Sequence, residues 1–232
     1  NYTTYNGTAW SAGTKKVYDY DASNNQILYE NYSAYTNGQW VGSSKEIWTY
    51  TAGKKTYYEK DTWSNGAWVK NTKEVWVYNA VGKELLYEKY GVNNNEWAIT
   101  NQNNSGYNEY NNLTHVENYT FNKTTGVKTG AKKEDYSLKG NTTLQLEKIQ
   151  YIWVAANADW ANNIKTVKAY NDANKIIDDC TYNWINDEWV GVYTRTKTTY
   201  SGSNATDVIG MSWSAEIKEW VNNSRTETEY TG

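Results

Sequence analysis

The sequence of 232 residues contains no proline, one cysteine and one histidine. Without proline, its turns depend on Asn, Asp and Gly, the other residue types that tolerate turn conformations. The single cysteine, Cys180, excludes an internal disulfide and any Cys-x-x-Cys site. With His115 as its one histidine, the chain also lacks the ligand set of a typical zinc site. We therefore expect no disulfide, no metal centre and no cofactor.

Long apolar runs and an excess of positive charge are also missing. No stretch approaches the roughly 18 apolar residues that a membrane-spanning helix needs, so we expect no membrane span. The net charge is -3 with both signs mixed along the chain. This argues against nucleic-acid binding, because that function needs a basic face. The chain starts at Asn1 rather than Met, so we expect a mature or excised segment whose targeting sequence lies outside it.

The chain is instead rich in two aromatic residue types. It has 13 Trp and 23 Tyr but 1 Phe and 1 Met, and 38% of its residues are hydrophobic. Trp and Tyr combine an apolar ring with a polar group, so they suit half-wet surfaces better than thick, dry cores. A composition rich in Tyr and Thr also favours strands. We therefore predict a thin β structure with much of its backbone close to water.

A tryptophan recurs along most of the chain at spacings of 28 to 31 residues. One gap of 63 residues holds two units, and in this gap Val127 takes the place of the intervening tryptophan. Self-similarity at such a period is the signature of a repeat protein. We predict a single repeat domain over residues 1–232. Its units start near Trp10, Trp40, Trp68, Trp97, Val127, Trp160, Trp189 and Trp220.

Two further residue types keep step with the tryptophan. A cation follows it by five residues, and a tyrosine follows it by ten. Three coincident registers over most of the chain are not a chance pattern. The cations are Lys15, Lys45, Lys73, Lys165 and Arg225. The tyrosines are Tyr20, Tyr50, Tyr78, Tyr107, Tyr170 and Tyr230.

Each unit contains two turns and therefore two strands of about ten residues. One turn has the pattern aromatic-x-Asn-Gly/Asp-x-Trp, and Asn-Gly between strand-like segments is a strong signal for a type I′ hairpin. A two-residue loop at Asn65 and Gly66 places Trp63 directly opposite Trp68. The same register predicts two more opposed pairs, Tyr35 with Trp40 and Trp184 with Trp189.

The other turn follows the repeated tyrosine, as in Asn79–Gly82. Closing a four-residue loop there places Lys73 opposite Glu88. Opposite charges at such positions would fix the register and discourage sheet aggregation. The corresponding loops elsewhere place Lys15 opposite Glu30 and Lys45 opposite Glu59.

These hairpins predict an all-β fold, an antiparallel meander of about 15 strands built from two-strand repeats of about 30 residues. Open sheets of more than about ten strands usually curl, split or coil. We therefore favour a coiling single sheet that is similar to a β-solenoid. A two-sheet sandwich or a propeller-like array is the alternative.

The combined pattern resembles a known class of aromatic repeats. The tryptophan, its later cation and tyrosine, and the Asn-Gly turn before the next tryptophan are similar to the YD-like repeats of large secreted or cell-surface proteins, especially those of Bacteroidetes. Elements such as Asn65–Trp68 resemble more distantly the choline- and glucan-binding repeats of Gram-positive bacteria. Both resemblances imply a secreted or surface protein. Neither assigns a ligand residue, because the shared motifs are structural.

Side chains suited to catalysis are scarce. Acid–base or nucleophilic catalysis needs several titratable groups that converge in a dry pocket. We interpret His115 as a cross-strand polar residue and Cys180 as a buried free thiol. Asp178 and Asp179 are adjacent, so in a strand their side chains point to opposite faces. We predict that the chain is not an enzyme.

The repeated aromatic residues have two interpretations. In the structural one, cross-strand aromatic pairs hold a thin sheet together. In the functional one, exposed rings form a row of platforms that stack on sugar rings or dock a partner, with avidity from repetition. The candidate surface residues are Trp40, Trp68, Trp97, Trp160, Trp189, Trp220, Tyr50 and Tyr78.

The sequence therefore predicts an extracellular structural or adhesive repeat module, such as a spacer, stalk or fibre segment. The alternative is a carbohydrate-binding module that uses the repeated Trp and Tyr residues. Candidate partners are glycans, other surface or matrix proteins, and further copies of the chain at the sheet ends.

Overall fold

The computed structural model describes residues 2–5 and 10–230, with side chains from residue 13 onward. The side chain of Trp10, the first unit marker, lies outside this part of the chain. Within it the regular structure is sixteen β-strands and no helix. The strands are β1 (Tyr2–Tyr5), β2 (Trp10–Tyr20), β3 (Gln26–Thr36), β4 (Gln39–Thr51), β5 (Lys54–Ser64), β6 (Ala67–Tyr78), β7 (Glu84–Asn93), β8 (Glu96–Tyr107), β9 (Leu113–Phe121), β10 (Lys128–Leu138), β11 (Gln145–Val154), β12 (Asp159–Tyr170), β13 (Ile176–Ile185), β14 (Glu188–Ser201), β15 (Asn204–Ser214) and β16 (Glu219–Glu227).

The order of the strands in the sheet is the order of the chain, from β1 to β16. Consecutive strands are antiparallel wherever their pairing is described, as in β3 with β4 and β5 with β6. The predicted all-β antiparallel meander is therefore confirmed, with sixteen strands in the described residues where about 15 were expected. The strands belong to one sheet, rather than to the separate sheets of a sandwich or propeller-like array.

The chain divides into two compact units. Unit 1 extends to Asn104 and includes Tyr119–Lys128. Unit 2 consists of Ser105–Asn118 and the chain from Thr129 onward. A single domain over residues 1–232 stays a prediction.

The predicted Asn-Gly hairpins are confirmed. Asn65 and Gly66 have φ angles of 49° and 81°, the left-handed conformation that both central residues of a type I′ turn require. Trp63 faces Trp68 as predicted, with ring centroids 5.0 Å apart. The other two predicted pairs are also present, Tyr35 with Trp40 at 5.2 Å and Trp184 with Trp189 at 4.9 Å.

The register predicted for the other hairpins is wrong by two residues. Lys73 faces Tyr90 rather than Glu88. One residue of the difference comes from the loop, where Asn79 N–H donates to the Lys83 carbonyl at 2.9 Å and closes a longer turn. The second residue comes from a bulge between the pairs of Val77 and Tyr78. The same correction applies to the other two predictions, because Lys15 faces Tyr32 and Lys45 faces Asp61.

The opposite charges meet across the Asn-Gly hairpins instead. Glu30 is directly opposite Lys45, with 3.6 Å between Glu30 Oε1 and Lys45 Nζ. Glu59 is likewise opposite Lys73. The cation of one unit therefore pairs with the acidic residue of the strand before it. These opposite charges meet across the Asn-Gly hairpin, whereas the sequence predicted that they would meet across the hairpin after the repeated tyrosine.

A one-residue bulge follows the tryptophan in several of these hairpins. In β6 the pairing skips Asn71, which lies three residues after Trp68. A bulge adds local twist to the strand that contains it. The skipped residues at the same position in other strands are Ser43, Thr100, Asn163 and Asn223. The sequence gives little sign of these bulges, because the skipped residues share only a polar character.

In the irregular unit, Val127 lies directly before β10. Asn122 N–H donates to the Val127 carbonyl at 2.9 Å, so Val127 belongs to the loop before β10, and its side chain is exposed. The next residue, Lys128, begins β10, and its ammonium group lies 4.2 Å from the ring centroid of Tyr119.

The sheet has almost no fully buried interior. Among the described side chains, the buried apolar ones are Tyr119 and Cys180, and the buried charged one is Glu134. Most other strand residues are half-buried. This agrees with the thin, half-wet structure that the Trp and Tyr composition predicts.

Candidate functional site

The eight predicted surface residues are all half-buried. None of the six tryptophans among them reaches the exposure of an open platform, and each lies within a strand close to a hairpin loop. Whether they contact a ligand stays a prediction. The residues are Trp40, Trp68, Trp97, Trp160, Trp189, Trp220, Tyr50 and Tyr78.

A glycine lies beneath three of the tryptophan pairs. A Cβ atom added to Gly42 would lie 2.5 Å from Trp63 and 2.7 Å from Trp68, so the indoles of the β5–β6 hairpin rest on the backbone of β4. A side chain at this position would push the two indoles away. The arrangement recurs at Gly130 with Trp153 and Trp160, and at Gly191 with Trp213 and Trp220. We call these three positions the glycine seats.

A tyrosine completes two of the glycine seats. Tyr32 lies opposite Gly42 on β3, and its ring centroid is 5.9 Å from that of Trp68. Tyr182 lies opposite Gly191 in the same way and accepts a hydrogen bond from Trp220 Nε1 at 3.1 Å. Each of these two seats therefore joins aromatic residues of two successive hairpins.

The cation five residues after the tryptophan lies over aromatic rings in three units. Lys73 Nζ is 3.8 Å from the ring centroid of Tyr90 and 5.5 Å from that of Trp97. Such cation–π contacts contribute about 0.5–1 kcal/mol at exposed sites. The corresponding contacts are Lys15 over Tyr32 and Trp40, and Lys165 over Tyr182 and Trp189.

Tyrosine hydroxyls and carboxylates form a second recurring contact. Tyr32 Oη donates to Glu30 at 2.7 Å, and burial together with this carboxylate raises the pKa of Tyr32 to about 12. The other pairs are Tyr57 with Glu59, Tyr90 with Glu88, and Tyr136 with Glu134. These carboxylates are bound within the sheet and are not gathered in one cavity.

The tyrosine ten residues after the tryptophan ties one hairpin to the one before it. Tyr78 Oη donates to the Lys55 carbonyl at 3.1 Å, beside the bulge in β5. This bond satisfies a carbonyl at the loop-side end of the strand, which has few other protein partners. Tyr230 makes the equivalent bond to the Ala205 carbonyl, and Tyr200, eleven residues after Trp189, makes it to the Ile176 carbonyl, each at 3.1 Å.

A groove opens beside Tyr78. One wall is the β4–β5 hairpin end, Thr51–Thr56, and the other is Trp76–Gly82, which includes the end of β6 and the loop after it. We call it the Tyr78 groove. Its volume is about 560 Å³, within the range of small-molecule sites. Lys54 Nζ lies at its mouth, 5.7 Å from the ring centroid of Tyr78.

An equivalent groove lies beside Tyr230, with a volume of about 690 Å³. There Thr228 and Glu229 occupy the positions that Trp76 and Val77 hold beside Tyr78. The Tyr78 groove is therefore aromatic and the Tyr230 groove is polar. Trp76 and Val77 were not among the predicted site residues. The available signal was the residue two before the repeated tyrosine, which is aromatic in the first units and a threonine in the last.

His115 and Cys180 occupy structural positions. His115 Nδ1 is 2.5 Å from Asp135 Oδ1 on the neighbouring strand, and Tyr151 Oη donates to Asp135 Oδ2 at 2.6 Å. This is a cross-strand polar cluster, as the sequence predicts for His115. Cys180 is a buried free thiol, also as predicted, and it faces Val167.

Residues 2–5 and 10–230 hold no cluster of three His, Cys, Asp or Glu side chains that could bind a metal. The same part of the chain has no helix with the length and apolarity to cross a membrane.

Fold and contacts together define an all-β antiparallel repeat protein. No protein-family model matches the chain, and no curated protein matches it. A crystal structure of a protein of unknown function from Bacteroides fragilis NCTC 9343 is similar over 68% of this chain and 92% of that chain, with 11% sequence identity and a TM-score of 0.32. A TM-score this low supports no conclusion about fold or function.

Proposed function

We propose that this chain is a structural or adhesive repeat module of a secreted or cell-surface protein. One observation carries the proposal: the repeated tryptophans pack within the chain, on glycine seats and under lysines, in hairpin after hairpin. A side chain used in this way contributes to the sheet itself. The resemblance of the sequence pattern to YD-like surface repeats supports the proposed location.

The energetics favour a role in holding an extended sheet. Each edge-to-face aromatic pair contributes about 0.5–1.5 kcal/mol beyond the burial of its area. Trp63 with Trp68, Trp153 with Trp160, and Trp213 with Trp220 all have this geometry, at interplanar angles of 79° to 81°. A sheet without a thick core can gain its stability from many such aromatic pairs.

Antibody labelling of the source cells tests the location. An antibody raised against the folded chain should label intact cells or detect the protein in the medium. Labelling that requires permeabilised cells would contradict the proposal. An antibody against a cytoplasmic enzyme of the same cells is the control for membrane integrity.

Carbohydrate recognition is the second candidate, and the Tyr78 groove favours it. The groove combines aromatic and aliphatic side chains with a few polar groups at its rim, including Thr56 and Lys54. This is the composition of many small-ligand sites. An adhesive module that binds glycans would unite the two candidates.

A further inference from the structure

We propose that the Tyr78 groove binds a pyranose ring of a glycan, with Trp76 and Tyr78 among the residues that line it. The inference rests on the carbohydrate alternative above and adds the site and the class of ligand. It moves the expected contact away from the repeated tryptophans, which pack on glycine seats or under lysines, to residues at the loop end of β6.

The lining matches the two surfaces of a sugar ring. A pyranose has apolar C–H faces and a hydroxyl edge, so it suits a site with apolar walls and a polar rim. Val77 and Val81 at the groove are 44% and 61% exposed, so they present apolar surface there. The Thr51 hydroxyl and the Lys54 ammonium group supply hydrogen-bonding groups at the rim.

The groove is held in shape before any ligand arrives. The bond from Tyr78 Oη to the Lys55 carbonyl fixes the tyrosine ring. Asn79 Oδ1 accepts from Val81 N–H at 3.2 Å and from Lys83 N–H at 2.8 Å, which closes the loop wall. A site fixed in this way loses little conformational entropy on binding.

The Tyr230 groove shows that the repeat does not require this apolar lining. Tyr230 makes the same carbonyl bond as Tyr78, to Ala205 at 3.1 Å. Yet Thr228 and Glu229 stand at the positions of Trp76 and Val77. The tyrosine is therefore common to the two grooves, whereas Trp76 and Val77 distinguish the Tyr78 groove.

The test is binding of the full chain to an array of tetrasaccharides of glucose, xylose, N-acetylglucosamine and galacturonic acid, with calorimetric titration of any glycan retained. Two variants remove the lining by installing the residues of the Tyr230 groove, Trp76→Thr and Val77→Glu. We expect each to weaken binding by roughly tenfold or more. Val77→Glu changes an exposed side chain, so it tests the groove without a large cost in stability.

Trp48→Thr is the matched control. Trp48 precedes Tyr50 by two residues, as Trp76 precedes Tyr78, and it packs on Tyr58 as Trp76 packs on Tyr87. It does not line the Tyr78 groove. We expect this variant to keep the affinity of the wild-type chain.

Each other outcome overturns the inference in a recognisable way. Equal loss of binding in Trp48→Thr and Val77→Glu would mean that the effect is not local to the groove. Binding that persists in Trp76→Thr and Val77→Glu would place the glycan elsewhere and keep the adhesive proposal. If no glycan on the array binds, both the groove and the carbohydrate alternative fail, and the structural proposal still stands on its own antibody test.

Discussion

At the scale of single residues, the glycine seats determine how closely successive hairpins approach. Gly42 has no room for a methyl group, because the indoles of Trp63 and Trp68 occupy that space. Gly42→Val should therefore destabilise the fold by about 2 kcal/mol through overpacking. Urea denaturation measures this effect. Ser43→Ala, an exposed change next in sequence, should shift the free energy of unfolding by less than about 0.5 kcal/mol, and equal effects of the two changes would contradict the seat.

Glu134 should make a contribution to the stability of the fold that is lost in acid. Burial alone would raise its pKa, but hydrogen bonds from Tyr136, Lys148 and Lys132 outweigh this and lower the pKa to about 2. A carboxyl with a lowered folded pKa stabilises the protein above its unfolded pKa of about 4.3, and the contribution is lost as pH falls toward 2. The contribution at neutral pH is on the order of 3 kcal/mol.

Glu134→Gln should therefore destabilise the chain at neutral pH and less so in acid. The measurement is urea denaturation at a series of pH values from neutral to about 2. Glu216→Gln, an exposed change, is the control and should leave the pH profile unaltered. A deficit for Glu134→Gln that stays constant down to the lowest pH would contradict the assignment.

At the scale of the element, the hairpin loop at Asn65 and Gly66 depends on backbone conformation alone. Gly66 has a φ of 81°, and an added Cβ would meet no atom within 4 Å. Gly66→Ala should thus cost about 1–2 kcal/mol purely from the left-handed conformation. Thermal unfolding followed by circular dichroism measures it, with Ala67→Ser as the neighbouring control. An unchanged melting temperature for Gly66→Ala would contradict a type I′ turn in solution.

The two kinds of hairpin differ in how far their register could be predicted from the sequence. The Asn-Gly loops are local signals, so the register from Trp63 to Trp68 follows from the turn residues alone. The other hairpins carry a bulge beside the repeated tyrosine, and nothing in Lys73 or Glu88 reveals that extra residue. The Tyr78 groove depends on two hairpins lying side by side, so the aromatic residue at position 76 does not indicate a groove until its neighbours are known.

At the scale of the whole molecule, half-buried tyrosines make the sheet sensitive to alkali. Burial and nearby carboxylates raise the pKa of Tyr32, Tyr58, Tyr87 and Tyr90 to about 12, and an unfolded tyrosine has a pKa of about 10. Their folded state holds the proton more tightly, so their contribution is complete below about pH 10 and is lost as pH rises toward 12.

Circular dichroism and tyrosinate absorbance should therefore change together in this alkaline window. The transition should be steep, because several tyrosines share the same shift and the sheet links them. Tyrosines that ionise while the circular dichroism spectrum is unchanged would show that their hydroxyls are not held by the sheet.

The glycine seats also bear on how such a chain can change in length. Each seat lies on an even-numbered strand and receives the indoles of the hairpin that follows it. Duplication or deletion of a whole hairpin in the gene keeps each glycine seat next to the indoles of the following hairpin. Gain or loss of a single strand would instead reverse the face of the sheet on which every later side chain lies. The number of hairpins can therefore change in steps of about 30 codons without a new interface. The length of the chain can then be inherited and selected separately from its stability.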